Sequence, residues 1–265
     1  MRGQEPTGFL NRTVTVDGVS HRYQVYIPAD YSRARRWPVI LFLHGSGERG
    51  TDGLLQTEVG LGEGIRRHAG RWPAIVVFPQ APPYRRWHGK VAHLALATLD
   101  RTLQEFSTDA DRVYLVGLSA GANGVWNLAY RSPERFAALI AVCGWVMPTA
   151  ERREAIVPPE RGSPYSVVAG RIRALPVWIW HGEADGVVPV EESRRMAPRS
   201  ERRERRPSTP SCRGWATNRG IRRSSHPSFR TGFSPRGGGE GADVTTSAPS
   251  PVRRSIEPGD ADHSQ

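Results

Sequence analysis

Cysteine and lysine are nearly missing from this chain of 265 residues, which holds two cysteines, Cys143 and Cys212, and one lysine, Lys90. Two cysteines cannot build a disulfide framework, and Cys143 closes the apolar run AALIAVCG, where a thiol packs as a small hydrophobe; a reducing compartment is expected. No stretch approaches the ~18 apolar residues of a membrane-spanning helix, and the opening MRGQEPTGFL lacks the apolar core of a signal peptide. A soluble, cytoplasmic chain is the expectation. Leucine is absent after residue 197, and the only aliphatic side chains larger than alanine there are Ile221, Val244, Val252 and Ile256. Such a segment buries too little apolar surface to offset the entropy of ordering it. We therefore expect a folded unit over residues 1–197 and a disordered Arg/Ser/Pro/Gly-rich tail over 198–265.

The net charge of +11 includes +6 from that tail, which carries 13 basic and 7 acidic residues. A basic tail attracts polyanions without specificity. Arginine supplies every cation but Lys90, and alanine, glycine and proline are abundant beside it, so GC-rich coding accounts for the charge as well as selection would. Nucleic acid is not the expected partner.

What is present is a regular alternation of elements. Residues 12–28, RTVTVDGVSHRYQVYIP, alternate apolar and polar about Asp17-Gly18, the pattern of a β-hairpin turning on a D-G pair. From Pro38 onward VILFLHG, AIVVFPQ, RVYLVGLSAG, AALIAVCG and PVWIWHG are short apolar runs of the kind that form parallel strands covered on both faces. Between them Val91, Ala95, Leu99 and Leu103, with Leu94 and Phe106, mark one amphipathic helix, and a second is expected from Ala120 to Arg131, ending before Pro133. VVPVEESRRM begins one more. Strands alternating with helices define an α/β fold, a doubly wound, mostly parallel sheet.

Gly117-Leu118-Ser119-Ala120-Gly121 fits G-x-S-x-G between a strand and a helix. A nucleophile elbow needs small neighbours there because the turn is tight and the backbone crowds the serine. The alternative is a Gly-rich turn with an incidental serine. A serine hydroxyl needs a base and an orienting acid later in the chain. Asp185, in the loop after PVWIWHG, is the candidate acid, unless Asp185-Gly186 is only a turn. A tetrahedral intermediate also needs backbone donors. We expect them at Ala120 and at Ser46, in the Gly-rich loop LFLHGSGERG. His44 and His181 read as structural residues flanking their loops. Trp87 and His88, with Arg85 and Arg86, either line a substrate cleft or belong to a solvated loop. This chemistry asks for no cofactor and no metal ion.

On these residues a resemblance is visible. LFLHGSGERG, DRVYLVGLSAGANGVWNLAYRSPERFAALIAVCG and VWIWHGEADGVVPVEESRRM resemble the α/β-hydrolase superfamily, in particular its peptidase, esterase and phospholipase group near the prolyl oligopeptidase and dienelactone hydrolase families. The likeness covers roughly residues 8–197. It implies Ser119 as nucleophile, Asp185 as triad acid, the Ser46 and Ala120 amides as oxyanion hole, and an ester or amide of small size as substrate. Such proteins continue with a last strand, a Gly-His loop carrying the base, often followed by Ser-Trp-Asp, and a closing helix. None of these is legible here; the last strand and helix are expected to be missing.

The segment SCRGWATNRGIR stands where the histidine belongs. In a shifted frame each codon joins the last base of one residue's codon to the first two of the next. Trp215-Ala216 then encodes Gly without choice, Ala216-Thr217 permits His, and the following junctions permit Glu-Ser-Trp-Asp. The tail is therefore expected to be out of frame from about Ala197-Pro198, the alternative being a genuine Arg-rich tail. His226 and His263, the only histidines after Asp185, are poor substitutes. The functional expectation is a serine hydrolase cleaving carboxylic esters or amides, with turnover impaired by the missing base. Its rivals are a noncatalytic hydrolase-like fold and a polyanion-binding tail.

Overall fold

The computed structural model describes residues 5–148, 154–158 and 161–197. Strands β1 (Gly8–Val16) and β2 (Val19–Ile27) form the hairpin expected about Asp17-Gly18. Both turn residues have positive φ, 50° and 77°, the conformation of the tight turn that matches strand twist and that Asp-Gly adopts readily. The apolar runs become β3 (Trp37–Leu43), β4 (Ile75–Pro79), β5 (Thr108–Leu118), β6 (Ala138–Val142) and β7 (Val177–Trp180).

One seven-stranded sheet contains them all in the order β1-β2-β4-β3-β5-β6-β7, with β1 and β2 antiparallel and the other five parallel. The strand order reverses at β3, which lies between β4 and β5. In an open α/β sheet, functional groups gather beyond the carboxyl ends of the strands at such a reversal. Here that edge is marked by Leu43, Pro79, Leu118, Val142 and Trp180.

The period of two explains why the runs are continuous. Val39, Leu41, Leu43, Ile75 and Val77 face one core, and Phe42, Val76 and Phe78 face the other. Each buried aliphatic side chain stabilises the fold by about 1.5–3 kcal/mol relative to exposure. The first core is closed by residues of α2 (Gly89–Glu105), α3 (Ala120–Arg131), α4 (Pro164–Arg171) and α5 (Glu191–Met196), and the second by Ile65 of α1 (Leu61–Arg67). Helices α2 and α3 occupy the expected positions, with Val91, Leu94, Ala95 and Leu99 buried along α2.

Strand β7 departs from the expected covering on both faces. All four of its residues are half-exposed, because it is the last strand of the sheet among the described residues. The expected absence of a further strand and helix concerns residues 198–265, which lie outside the described residues. No described helix is long and apolar enough to cross a membrane.

Candidate active site

Ser119 follows β5 directly and precedes α3, with φ 54° and ψ −113°. A non-glycine residue with positive φ costs on the order of 1–3 kcal/mol and persists only where its surroundings over-determine it. Two backbone hydrogen bonds do so here: the Ser119 N–H donates to the Val142 carbonyl of β6 at 2.8 Å, and the Asn123 N–H donates to the Ser119 carbonyl at 3.1 Å. The flanking glycines are required by contact. A Cβ on Gly117 would stand 2.3 Å from the Gly121 carbonyl oxygen, and one on Gly121 would stand 1.8 Å from that of Leu43. The turn is thus pressed against both its own helix and the end of β3.

The loop after β3 is held from behind by side chains. Trp87 Nε1 donates to the His44 carbonyl at 3.0 Å, His44 Nδ1 to the Gly45 carbonyl at 2.6 Å, Arg49 Nε to the Ser46 carbonyl at 2.8 Å, and Gln80 Nε2 to the Glu48 carbonyl at 3.1 Å. The buried Glu48 carboxyl engages the Gly45 and Glu48 amides, and burial pushes it above the usual carboxylate range. A Cβ on Gly45 would lie 3.8 Å from the Ser119 Cβ, so this loop packs directly on the serine.

His44 is fully buried, and its Nε2 accepts the Ala81 N–H at 2.9 Å, which fixes the proton on Nδ1. Burial lowers its pKa to about 4. The ring is neutral at pH 7 and structural. Its depressed pKa makes the unfolded chain, with an ordinary value near 6.5, bind the extra proton first. Stability is therefore complete above about pH 6.5 and falls between pH 6.5 and 4. His44 alone contributes roughly 3 kcal/mol to that fall. Urea unfolding at pH 7 and 4.5 checks it: the acid decline should shrink in His44→Gln, measured from that variant's own value at pH 7.

Asp185 lies in the loop after β7 with its side chain only 3% exposed. Its Oδ1 accepts the N–H groups of Val187 at 2.8 Å and Val188 at 3.0 Å, while Oδ2 stands 3.6 Å from His181 Nε2. One carboxylate oxygen thus shapes the loop and the other faces His181. Both His181 nitrogens are engaged, Nε2 donating to the Val188 carbonyl at 2.9 Å and Nδ1 accepting from Ser193 Oγ at 2.6 Å. Val188 is buried in one small cluster with Ala120 and Trp145, which brings the Asp185 loop against the residue after Ser119.

Trp87 is 1% exposed and stacks edge-on against His44 with ring centroids 4.9 Å apart. It backs the loop at Ser46 and offers no face to a ligand. His88 is half-buried; its Nε2 donates to Asn123 Oδ1 at 2.8 Å, and burial lowers its pKa. Asn123 Nδ2 donates in turn to the Trp145 carbonyl at 3.0 Å. The strap after β6 is fixed by Glu192 of α5, whose Oε2 accepts the Val146 N–H at 2.8 Å and whose Oε1 accepts the Tyr165 hydroxyl at 2.7 Å. Sequence reasoning missed Gln80, Asn123 and Glu192. Only Asn123 carried a signal, as a polar residue one turn beyond the serine in the small-residue stretch Ala-Gly-Ala-Asn-Gly.

Among the described residues no histidine forms a hydrogen bond to the Ser119 hydroxyl, and no group of three or more His, Cys, Asp or Glu could hold a metal ion. His226 and His263 lie outside the described residues.

A mostly parallel seven-stranded sheet with a serine at a left-handed turn after its fifth strand is the architecture of the α/β-hydrolases. This chain belongs to the Esterase family, whose model matches residues 18–208. Among solved structures it is similar to a thermostable esterase at 31% identity and a TM-score of 0.56, over 71% of this chain and 50% of that one; it thus spans half of that protein's length. It also shares its fold with a ferulic acid esterase from the anaerobic fungus Anaeromyces mucronatus, at 16% identity and a TM-score of 0.53, over 74% of this chain and 79% of that chain. A third similar structure is S-formylglutathione hydrolase from Staphylococcus aureus, at 16% identity and a TM-score of 0.51, over 70% and 82% of the two chains. No curated protein matches the chain.

Proposed function

We propose that this fold is built to cleave carboxylic esters, with amides as a second substrate class, through an acyl-enzyme on Ser119. The observation that carries the reading is Ser119 at its left-handed turn, with the loop of residues 44–48 packed on it and the loop that holds Asp185 packed on the adjacent Ala120. Ser119 Oγ attacks the acyl carbon, the amides of Ser46 and Ala120 take the developing oxyanion, and the alcohol leaves with a proton; water then releases the acid. Asp185 orients and stabilises the imidazolium of the base through Oδ2. His88 stands on the wall held by Asn123, and Trp87 supports it from within.

Among the described residues no histidine is bonded to Ser119 to act as its base. We place it at the codon that spans Ala216 and Thr217 in the shifted frame, with residues 1–197 as the hydrolase unit and 198–265 as out-of-frame sequence. Turnover is correspondingly impaired, and Cys143, a buried thiol, fits a cytoplasmic setting. A second reading, a noncatalytic binding protein on the same fold, draws on the absence of a described histidine bonded to Ser119. A fluorophosphonate probe tests both, since it labels only an activated serine. The frame-restored chain should label at Ser119 and lose the label in Ser119→Ala, while the chain as it stands should label at least 100-fold more slowly. No labelling of the restored chain would sink the hydrolase reading; equal labelling of the two would sink the impairment.

A further inference from the structure

Helix α3 is buried at every residue from Ala120 to Ala129, yet two of these residues are asparagines, Asn123 and Asn127. Asparagine is a poor helix former, and its amide is costly to bury unless it is hydrogen-bonded. Asn127 is fully buried with both ends of its amide engaged: Nδ2 donates to the Trp87 carbonyl at 2.7 Å, and Oδ1 accepts from Arg131 Nε at 3.0 Å. One turn earlier Asn123 accepts from His88 Nε2, so two consecutive residues of the connection between β4 and α2 are held by successive turns of α3. Between those turns a Cβ on Gly124 would stand 2.5 Å from the Trp87 Cβ, which places the connection directly on the helix.

From Trp87 the hydrogen bonds run on toward the serine. Trp87 Nε1 donates to the His44 carbonyl at 3.0 Å, the two rings pack edge-on, and His44 Nδ1 donates to the Gly45 carbonyl at 2.6 Å. The Gly45 carbonyl and the Ser46 N–H belong to one planar trans peptide, in which they point in opposite directions. Whatever fixes the carbonyl therefore aims the amide. We infer that Asn127 is a positioning residue for the reaction: through Trp87 and His44 it sets the direction of the Ser46 N–H, the amide assigned to the oxyanion. The catalytic consequence rests on the reading of Ser119 as nucleophile, whereas the relay itself stands on the hydrogen bonds that join Asn127, Trp87, His44 and Gly45.

Such a relay acts on the transition state and leaves substrate capture alone. An oxyanion donor reaches full strength only as negative charge develops, and loss of one lowers kcat about 10²- to 10³-fold. A donor turned out of line by a slack support forfeits part of that factor, in kcat rather than in KM. Arg131, which is exposed and binds the other end of the Asn127 amide, provides the control.

In the full chain as it stands, the Trp87 indole N–H is assigned by NMR from its loss in Trp87→Phe. It should exchange with solvent at least about tenfold faster in Asn127→Asp, which keeps an acceptor for Arg131 and loses the donor to Trp87. In the frame-restored chain the same substitution should lower kcat for p-nitrophenyl acetate at least about tenfold and move KM by less than about threefold. Arg131→Met should change neither. Because the links act in series, Asn127→Asp combined with Trp87→Phe should lose no more than the larger single loss. Should Asn127→Asp not fold, Asn127→Leu carries the same measurements. Unchanged exchange in the folded variant, an equal effect of Arg131→Met, additive losses, or a loss confined to KM would overturn the inference. A restored chain without turnover would sink the reading of Ser119 instead, and the exchange rate would still decide the relay.

Discussion

Restoring the reading frame after Ala197 should raise p-nitrophenyl acetate turnover about 10⁴- to 10⁶-fold over the chain as it stands, the range by which removing a triad base lowers turnover in serine hydrolases. The size follows from the division of labour. A serine hydroxyl is almost wholly protonated at neutral pH, so without a base the attacking alkoxide is never formed in quantity, however well the oxyanion is received. The loop of residues 44–48 and the Asp185 loop both precede residue 198, and the hydrogen bonds that shape them come from residues that also precede it. The gain should appear chiefly in kcat and vanish in Ser119→Ala of the restored chain. An increase below tenfold, with the restored chain folded, would remove the missing histidine as the cause.

The second large effect is on stability. Gly121→Ala should destabilise the fold by about 4 kcal/mol or more, near the top of what single substitutions do. Domains of this kind hold about 5–15 kcal/mol in total. The added Cβ meets the Leu43 carbonyl oxygen at 1.8 Å and that of His44 at 2.8 Å. Both belong to backbone at the end of a central strand, so neither can swing aside as a flexible side chain would. The alternatives are to push α3 off the sheet, with Val125, Trp126 and Leu128 on its buried face, or to break the elbow. Gly170→Ala, in α4 with nothing within 4 Å of its Cβ, is the matched control and should change the urea midpoint little.

Long-period features were legible before the structure. The Asp17-Gly18 hairpin, the five apolar runs and helices α2 and α3 follow from spacing alone, because each has enough residues for a period of 2 or 3.6 to stand out. Helices α1 and α4, with seven and eight residues, did not. Helices this short are marginal on their own and exist through packing, which a local pattern does not record; α1 even includes Gly62 and Gly64, and a Cβ at Gly62 would collide with the Thr57 carbonyl at 2.2 Å. The same division runs through the candidate site. Ser119 was readable because its constraint is written within five residues. Gln80 and Glu192 act on backbone 32 and 46 positions away, and Trp87, which could as well have faced a cleft, proves to be a buried support 43 positions from the carbonyl it holds.

The four side chains that turn back the carbonyls of residues 44, 45, 46 and 48 come from His44, Arg49, Gln80 and Trp87, all encoded upstream of the serine. The loop that packs on Ser119 is therefore held in shape by side chains that precede the serine in the chain. A change confined to residues after 197 would leave these four hydrogen bonds in place, so on the proposed reading the oxyanion loop keeps its shape whether or not a base is supplied.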